Sequence, residues 1–212
     1  MTKYIIYLEG NISSGKSTLL PRISNALKTL LCNTKIYQYP EPLNIWSSIK
    51  HNNKPLLQLL YENTDAYGAT FQYMTLLTRQ NQLLEFLEKE GECIAIIERS
   101  YLSDKLFQTV MYQHACLSNL HMDIFKTAYK PTIKHIHIYV RTDPSVCYNR
   151  IHNERKRNEE QNINLLYIEK LHKLHEEYFM KDPFICVDNN KQLTEKDIDI
   201  LCNYIIQSIK CS

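Results

Sequence analysis

Glycine and proline are scarce in this chain, with four and seven in 212 residues. That excludes collagen-like repeats, Gly/Ser linkers and Pro-rich spacers. No apolar run approaches the ~18 residues that cross a bilayer, so no membrane partner is expected. Charge of one sign is not in excess, at a net +2, which argues against wholesale coating of nucleic acid. The seven cysteines are odd in number and scattered, and form no C-x-x-C. They point to reduced thiols rather than a disulfide frame or a zinc site. The expected placement is therefore cytoplasmic, or host cytoplasm for a viral chain. A strand pattern starting at Tyr4 gives the further expectation of no signal or transit peptide. With no repeat, linker or low-complexity tract, one domain is expected over residues 1–212.

The most informative stretch is Gly10-Asn11-Ile12-Ser13-Ser14-Gly15-Lys16-Ser17, followed by Thr18. It fits G-x-x-x-x-G-K-[ST], a loop that cradles phosphates. Its glycines let consecutive N–H groups turn inward, and the following helix adds partial positive charge. Lys16 reaches the β- and γ-phosphates, and the Ser17 hydroxyl suits Mg²⁺. The context fits: Tyr4–Leu8 ahead reads as a buried strand and Thr18–Leu31 behind as a helix.

Four more apolar runs read as strands: Lys35–Tyr39, Cys93–Ile97, His135–Val140 and Phe184–Val187. Helical patterns separate them, at Asp65–Glu90, from Asp143-Pro144 onward, at Asn162–Met180 and at Thr194–Lys210. Asp143 is the expected N-cap of the second, and Thr194 with Asp197 forms an approximate capping box. The fold class is α/β: a single P-loop NTPase domain with a five-stranded parallel sheet flanked by helices and an arginine-rich lid at about 150–160.

In such sheets ligands bind at the carboxyl ends of strands. Glu41-Pro42, with Trp46, follows the second strand, and Glu98-Arg99-Ser100 follows the third. Phosphoryl transfer to a hydroxyl needs a triphosphate cradle, Mg²⁺, a base and cations. Glu41 is a candidate base, Arg99 a candidate cation, and Glu98 a candidate on the metal side. The run Arg150–Glu160 carries both signs of charge. It reads either as a solvated helix face or as a lid whose arginines close over phosphate.

These residues together make the chain similar to the deoxynucleoside kinases, the group holding deoxycytidine and deoxyguanosine kinases and the insect multisubstrate enzyme. The resemblance runs from about residue 4 to 188. It rests on Glu9-Gly10-Asn11-Ile12, Glu41-Pro42 with Trp46, Phe71-Gln72, Glu98-Arg99-Ser100 and Arg157-Asn158-Glu159-Glu160-Gln161. It implies that Glu41 takes the 5′-hydroxyl proton, Arg99 holds the 5′ region and Glu98 with Ser17 serves Mg²⁺. It assigns Gln72 to the base edge, where an amide donates and accepts at once. Phe71, Phe107 and Trp46 fall around the base, and Tyr61 and Glu160 match the pair that binds the sugar 3′-hydroxyl. The lid is one residue longer than the family pattern, which leaves Arg150, Arg155 and Arg157 as candidates; Arg155 and Arg157 are favoured for phosphate. ATP and a deoxynucleoside are the expected partners, in a homodimer built on the helices at Pro55–Tyr61 and Asp65–Glu90.

Arg79 lies seven residues after Gln72, on the same helix face. With Asp104 it matches positions that hold the same residues in deoxycytidine and deoxyguanosine kinases. A carboxylate suits an exocyclic amino group and is poorly matched to thymine, so deoxycytidine or a purine deoxynucleoside is expected over thymidine. An ordinary ion pair is the other reading. His135 and His137 alternate on one strand and read as polar decoration, His172 and His175 as a solvated helix face, and Asn190-Lys191-Gln192-Leu193 as a turn. Competing functions are a nucleoside monophosphate kinase of the thymidylate-kinase type, a P-loop regulatory NTPase, and a nucleic-acid-binding ATPase.

Overall fold

Continuous apolar runs set the centre of the molecule. In the computed structural model, which describes residues 3–127, 133–181 and 183–211, five strands form one all-parallel sheet. They are β1 (Lys3–Glu9), β2 (Lys35–Tyr39), β5 (Cys93–Glu98), β6 (His135–Arg141) and β7 (Ile185–Asp188), in the order β2-β5-β1-β6-β7. The five expected strands are present within one or two residues at each end. A small antiparallel hairpin, β3 (Lys50–His51) with β4 (Lys54–Pro55), stands apart from the sheet.

Strand β1 lies centrally, pairing Ile5 with Ala95 on one side and with His135 on the other. Because side chains alternate along a strand, it feeds two cores. Tyr4, Ile6 and Leu8 pack under α1 (Lys16–Leu30) and α9 (Glu195–Cys211), with Leu19, Ile23, Ile198 and Leu201. Ile5 and Tyr7 face the other way, with Leu83 and Phe86 of the 25-residue helix α4 (Thr64–Glu88). Helices cover both faces, as the burial of a parallel sheet demands.

The remaining helices are α2 (Leu43–Ser48), α3 (Leu56–Glu62), α5 (Tyr101–Gln113), α6 (Asn119–Lys126), α7 (Pro144–Asn149) and α8 (Leu165–Phe179). The Arg150–Arg155 segment is a π-helical turn and Asn158–Glu160 a 3₁₀ turn. The Thr194–Asp197 capping box is present: the Asp197 carboxylate accepts from Thr194 N, and Thr194 Oγ1 from Asp197 N.

Asp143 is the N-cap residue of α7 with Pro144 after it, as expected, though its side chain makes no capping hydrogen bond; Arg141 holds its carboxylate at 3.0 Å. One expectation is corrected. His175 is not on a solvated face. It is fully buried between Tyr139 and Phe179, because it falls on the apolar stripe Ile168, Leu171, His175, Phe179. Burial holds it neutral and lowers its pKa to about 3. Among the described residues no helix is long and apolar enough to cross a membrane.

Candidate active site

The carboxyl ends of the sheet strands open into one cleft of about 620 Å³. Residues 10–15 leave β1 and enter α1 through Gly15, at φ 98°, a left-handed conformation that suits glycine. A Cβ there would collide with Asn189 Nδ2. Ile12, Ser13, Gly15, Lys16, Ser17 and Thr18 line the cleft. Gly10, Asn11 and Ser14 do not; they hold the loop from behind. Asn11 Nδ2 donates to Ile168 O at 2.9 Å, and Ser14 O accepts from Thr142 Oγ1 and Asn189 Nδ2.

Lys16 Nζ donates to Gly10 O, Asn11 O and Ser14 Oγ at 3.0, 2.7 and 3.3 Å. Burial, with the nearby Arg99 cation, lowers its pKa to about 7. Ser17 Oγ donates to Glu98 Oε1 at 2.9 Å.

Facing the loop is a chain of alternating charges. Arg99 Nε donates to Glu41 Oε1 at 2.8 Å, and Arg79 Nη2 reaches the same oxygen at 3.3 Å. Arg79 Nε holds both oxygens of Asp104, at 2.8 and 3.0 Å, and its Nη1 donates to Glu98 O. Arg79 and Asp104 are thus an ion pair, and both also line the cleft. Burial pushes the Glu41 pKa up, but Arg99, Arg79 and Lys16 outweigh it and bring it down to about 2. The Arg99 guanidinium lies 4.9 Å above the Phe107 ring.

Beyond Glu41 the cleft is lined by Trp46 of α2, Tyr61 of α3, Phe71 and Gln72 of α4, and Phe107 of α5. Trp46 donates to Thr78 Oγ1 and meets Phe71 edge to face at 5.3 Å. Gln72 is buried, and its Oε1 has no hydrogen-bond partner among the described residues. Glu160 is buried too, with Oε2 likewise unpartnered among the described residues.

All three lid arginines reach the cleft. Arg155 donates to Ser13 Oγ at 2.7 Å, and Arg150 to Asn189 O at 2.8 Å. Arg155 and Arg157 approach Glu160 at 3.8 and 3.5 Å. Arg150 Nη1 also donates to Ser13 O at 3.4 Å, so Arg150 touches the phosphate loop as Arg155 does. The expected turn after β7 also lines the cleft, through Asn189, Asn190 and Gln192. Its position at a strand end was the available signal.

The family model for deoxynucleoside kinases matches residues 6–209. The chain belongs to the deoxynucleoside kinase family. It is thus an enzyme of the kinase class. It is 30% identical to human mitochondrial thymidine kinase 2 over 84% of this chain and 65% of that protein. To human deoxycytidine kinase it is 29% identical, over 90% of this chain and 85% of the other. To the mitochondrial deoxyguanosine kinase of Xenopus laevis it is 31% identical, over 82% and 72%. The chain spans about two thirds of the thymidine kinase's length and more of the other two.

Proposed function

We propose that this chain transfers the γ-phosphoryl group of ATP to the 5′-hydroxyl of a deoxynucleoside in nucleotide salvage, with deoxycytidine or a purine deoxynucleoside preferred over thymidine. The observation that carries the reading is one cleft in which an ionised Glu41 and a buried Gln72 face the phosphate loop.

The loop N–H groups, Lys16 and the lid arginines form the donor cradle. Ser17 and Glu98 are hard oxygen donors within hydrogen-bond reach of one another, a set that fits Mg²⁺. That ion, when bound, neutralises charge on the β- and γ-oxygens. Glu41 accepts a hydrogen bond from the acceptor hydroxyl and orients it. Its low pKa makes proton transfer late, after bonding to phosphorus has made the hydroxyl acidic. Arg99, steadied over Phe107, meets the charge that develops beside it.

Gln72 offers a free acceptor and an amide donor to a base edge; Tyr61 and Glu160 serve the sugar 3′-hydroxyl. Asp104 has lone pairs left for an exocyclic amino group. Relatives at 29–31% identity are named for thymidine, deoxycytidine and deoxyguanosine, so identity does not choose among them; what supports the base preference is the Arg79–Asp104 pair.

The test is kcat/KM for the four deoxynucleosides, with dCMP and dTMP as alternative acceptors. Thymidine as best substrate overturns the base preference, and a monophosphate far above deoxycytidine overturns the acceptor. Arg79→Met with Asp104→Ala should raise thymidine relative to deoxycytidine. Absolute kcat should fall, since Arg79 also touches Glu41.

We propose a homodimer through the α4 face that carries Leu77 and Leu84, each more than half exposed. Light scattering should then give twice the 25.1 kDa chain mass. The six cysteines with described side chains are unpaired, which supports a reducing, cytoplasmic setting.

A further inference from the structure

Arg99 stands at φ 65°, a left-handed conformation that non-glycine residues rarely adopt. It is the single residue between the end of β5 at Glu98 and Ser100, the N-cap of α5. Such a corner persists only where its surroundings over-determine it. From β1, Leu8 O accepts from Arg99 N at 2.9 Å. The next residue, Glu9, is fully buried, and one carboxylate oxygen accepts from both Ser100 N and Ser103 Oγ at the start of α5. The other accepts from His137 Nδ1 at 2.9 Å. His137 is itself lodged between Tyr7, stacked at 5.0 Å, and Phe184, edge-on at 5.5 Å.

None of Glu9, His137, Ser100 and Ser103 lines the cleft. A buried charge is costly to keep, and an apolar substitute is often no less stable. Its location identifies its use. The carboxylate clamps the corner that carries Arg99, and the residue after it, Gly10, supplies the carbonyl that accepts from Arg99 Nη1.

We propose that Glu9, held by His137, is a positioning residue that fixes the Glu98-Arg99-Ser100 corner and so aims the Arg99 guanidinium at Glu41. This rests on the function proposed above. It is tested by a double-mutant cycle: Glu9→Gln measured in the wild-type and in the Arg99→Ala background, with kcat, both KM values and melting temperature. In the wild-type background kcat should fall about tenfold or more, with both KM values within about threefold. In the Arg99→Ala background the same change should cost no more than about twofold, because the group it aims is gone. Equal losses in the two backgrounds, or an unchanged kcat in the first, overturn the proposal. Should Glu9→Gln not fold, Ser103→Ala removes one donor while His137 still pairs with Glu9. The same cycle then reads it, with equal losses or an unchanged kcat again the refuting results. A wild-type protein that phosphorylates no deoxynucleoside would instead overturn the underlying function, and this role with it.

Discussion

Glu41 carries two demands that pull against each other. A base must take a proton, yet two guanidinium groups hold this carboxylate ionised at a pKa of about 2. In the proposed reaction, orientation of the acceptor hydroxyl is then its larger contribution. Glu41→Gln should keep deoxynucleoside affinity, measured by calorimetry, while kcat falls by about 10²–10⁴. A near-normal kcat would remove Glu41 from the reaction. Lys16 gives a prediction of the opposite kind. Its pKa of about 7 in the free enzyme means that the cation is lost as pH rises through neutrality. Since kcat/KM reports groups of the free enzyme, its value for ATP should drop above pH 7, by up to about tenfold per unit. Lys16→Arg should flatten that alkaline limb even with lower activity; an unflattened limb assigns it elsewhere.

Among the elements, those with continuous apolar runs were legible, because a strand buried on both faces carries no alternation to misread. The hairpin Lys50–Pro55 was not, since two-residue strands in a polar stretch leave no period. Helix α8 shows why a correct helix still hid a buried histidine. Residues 172 and 175 were read as a polar pair, when position 175 continues the apolar stripe from Leu171 to Phe179. Single residues after strands were legible where a carboxylate or arginine stood out, as at 41, 98 and 99. Uncharged asparagines doing similar lining, at 189 and 190, were not. The burial of His175 has a measurable result. Its folded pKa is about 3, so between pH 6.5 and 3 the unfolded chain binds a proton that the folded one does not. Stability must therefore fall with pH across that window, by up to about 1.4 kcal/mol per unit. His175→Phe should remove this component. Urea unfolding at pH 7 and pH 5 should show a smaller difference for the variant; an equal difference refutes the assignment.

For the whole molecule, acid acts through more than one group in the same direction. Glu9 and Glu41 have folded pKa values of about 2, below the ordinary 4.5. Each therefore contributes stability that is complete above pH 4.5 and lost as pH falls toward 2. With His175 acting from pH 6.5 downward, thermal scans should show a melting temperature that declines gently below 6.5 and steeply below 4.5. A melting temperature flat down to pH 4 would refute this.

The central place of β1 bears on how the chain is made. Of the sheet strands this one is made before the others, and its two neighbours in the sheet begin at Cys93 and His135. Until β5 has emerged, Ile5, Ile6 and Leu8 have no edge to join, and one side of β1 stays open until β6 follows. The nascent chain must carry this apolar segment unpaired until β5 has been made, a delay that invites chaperone capture and makes stalled, truncated products prone to clump.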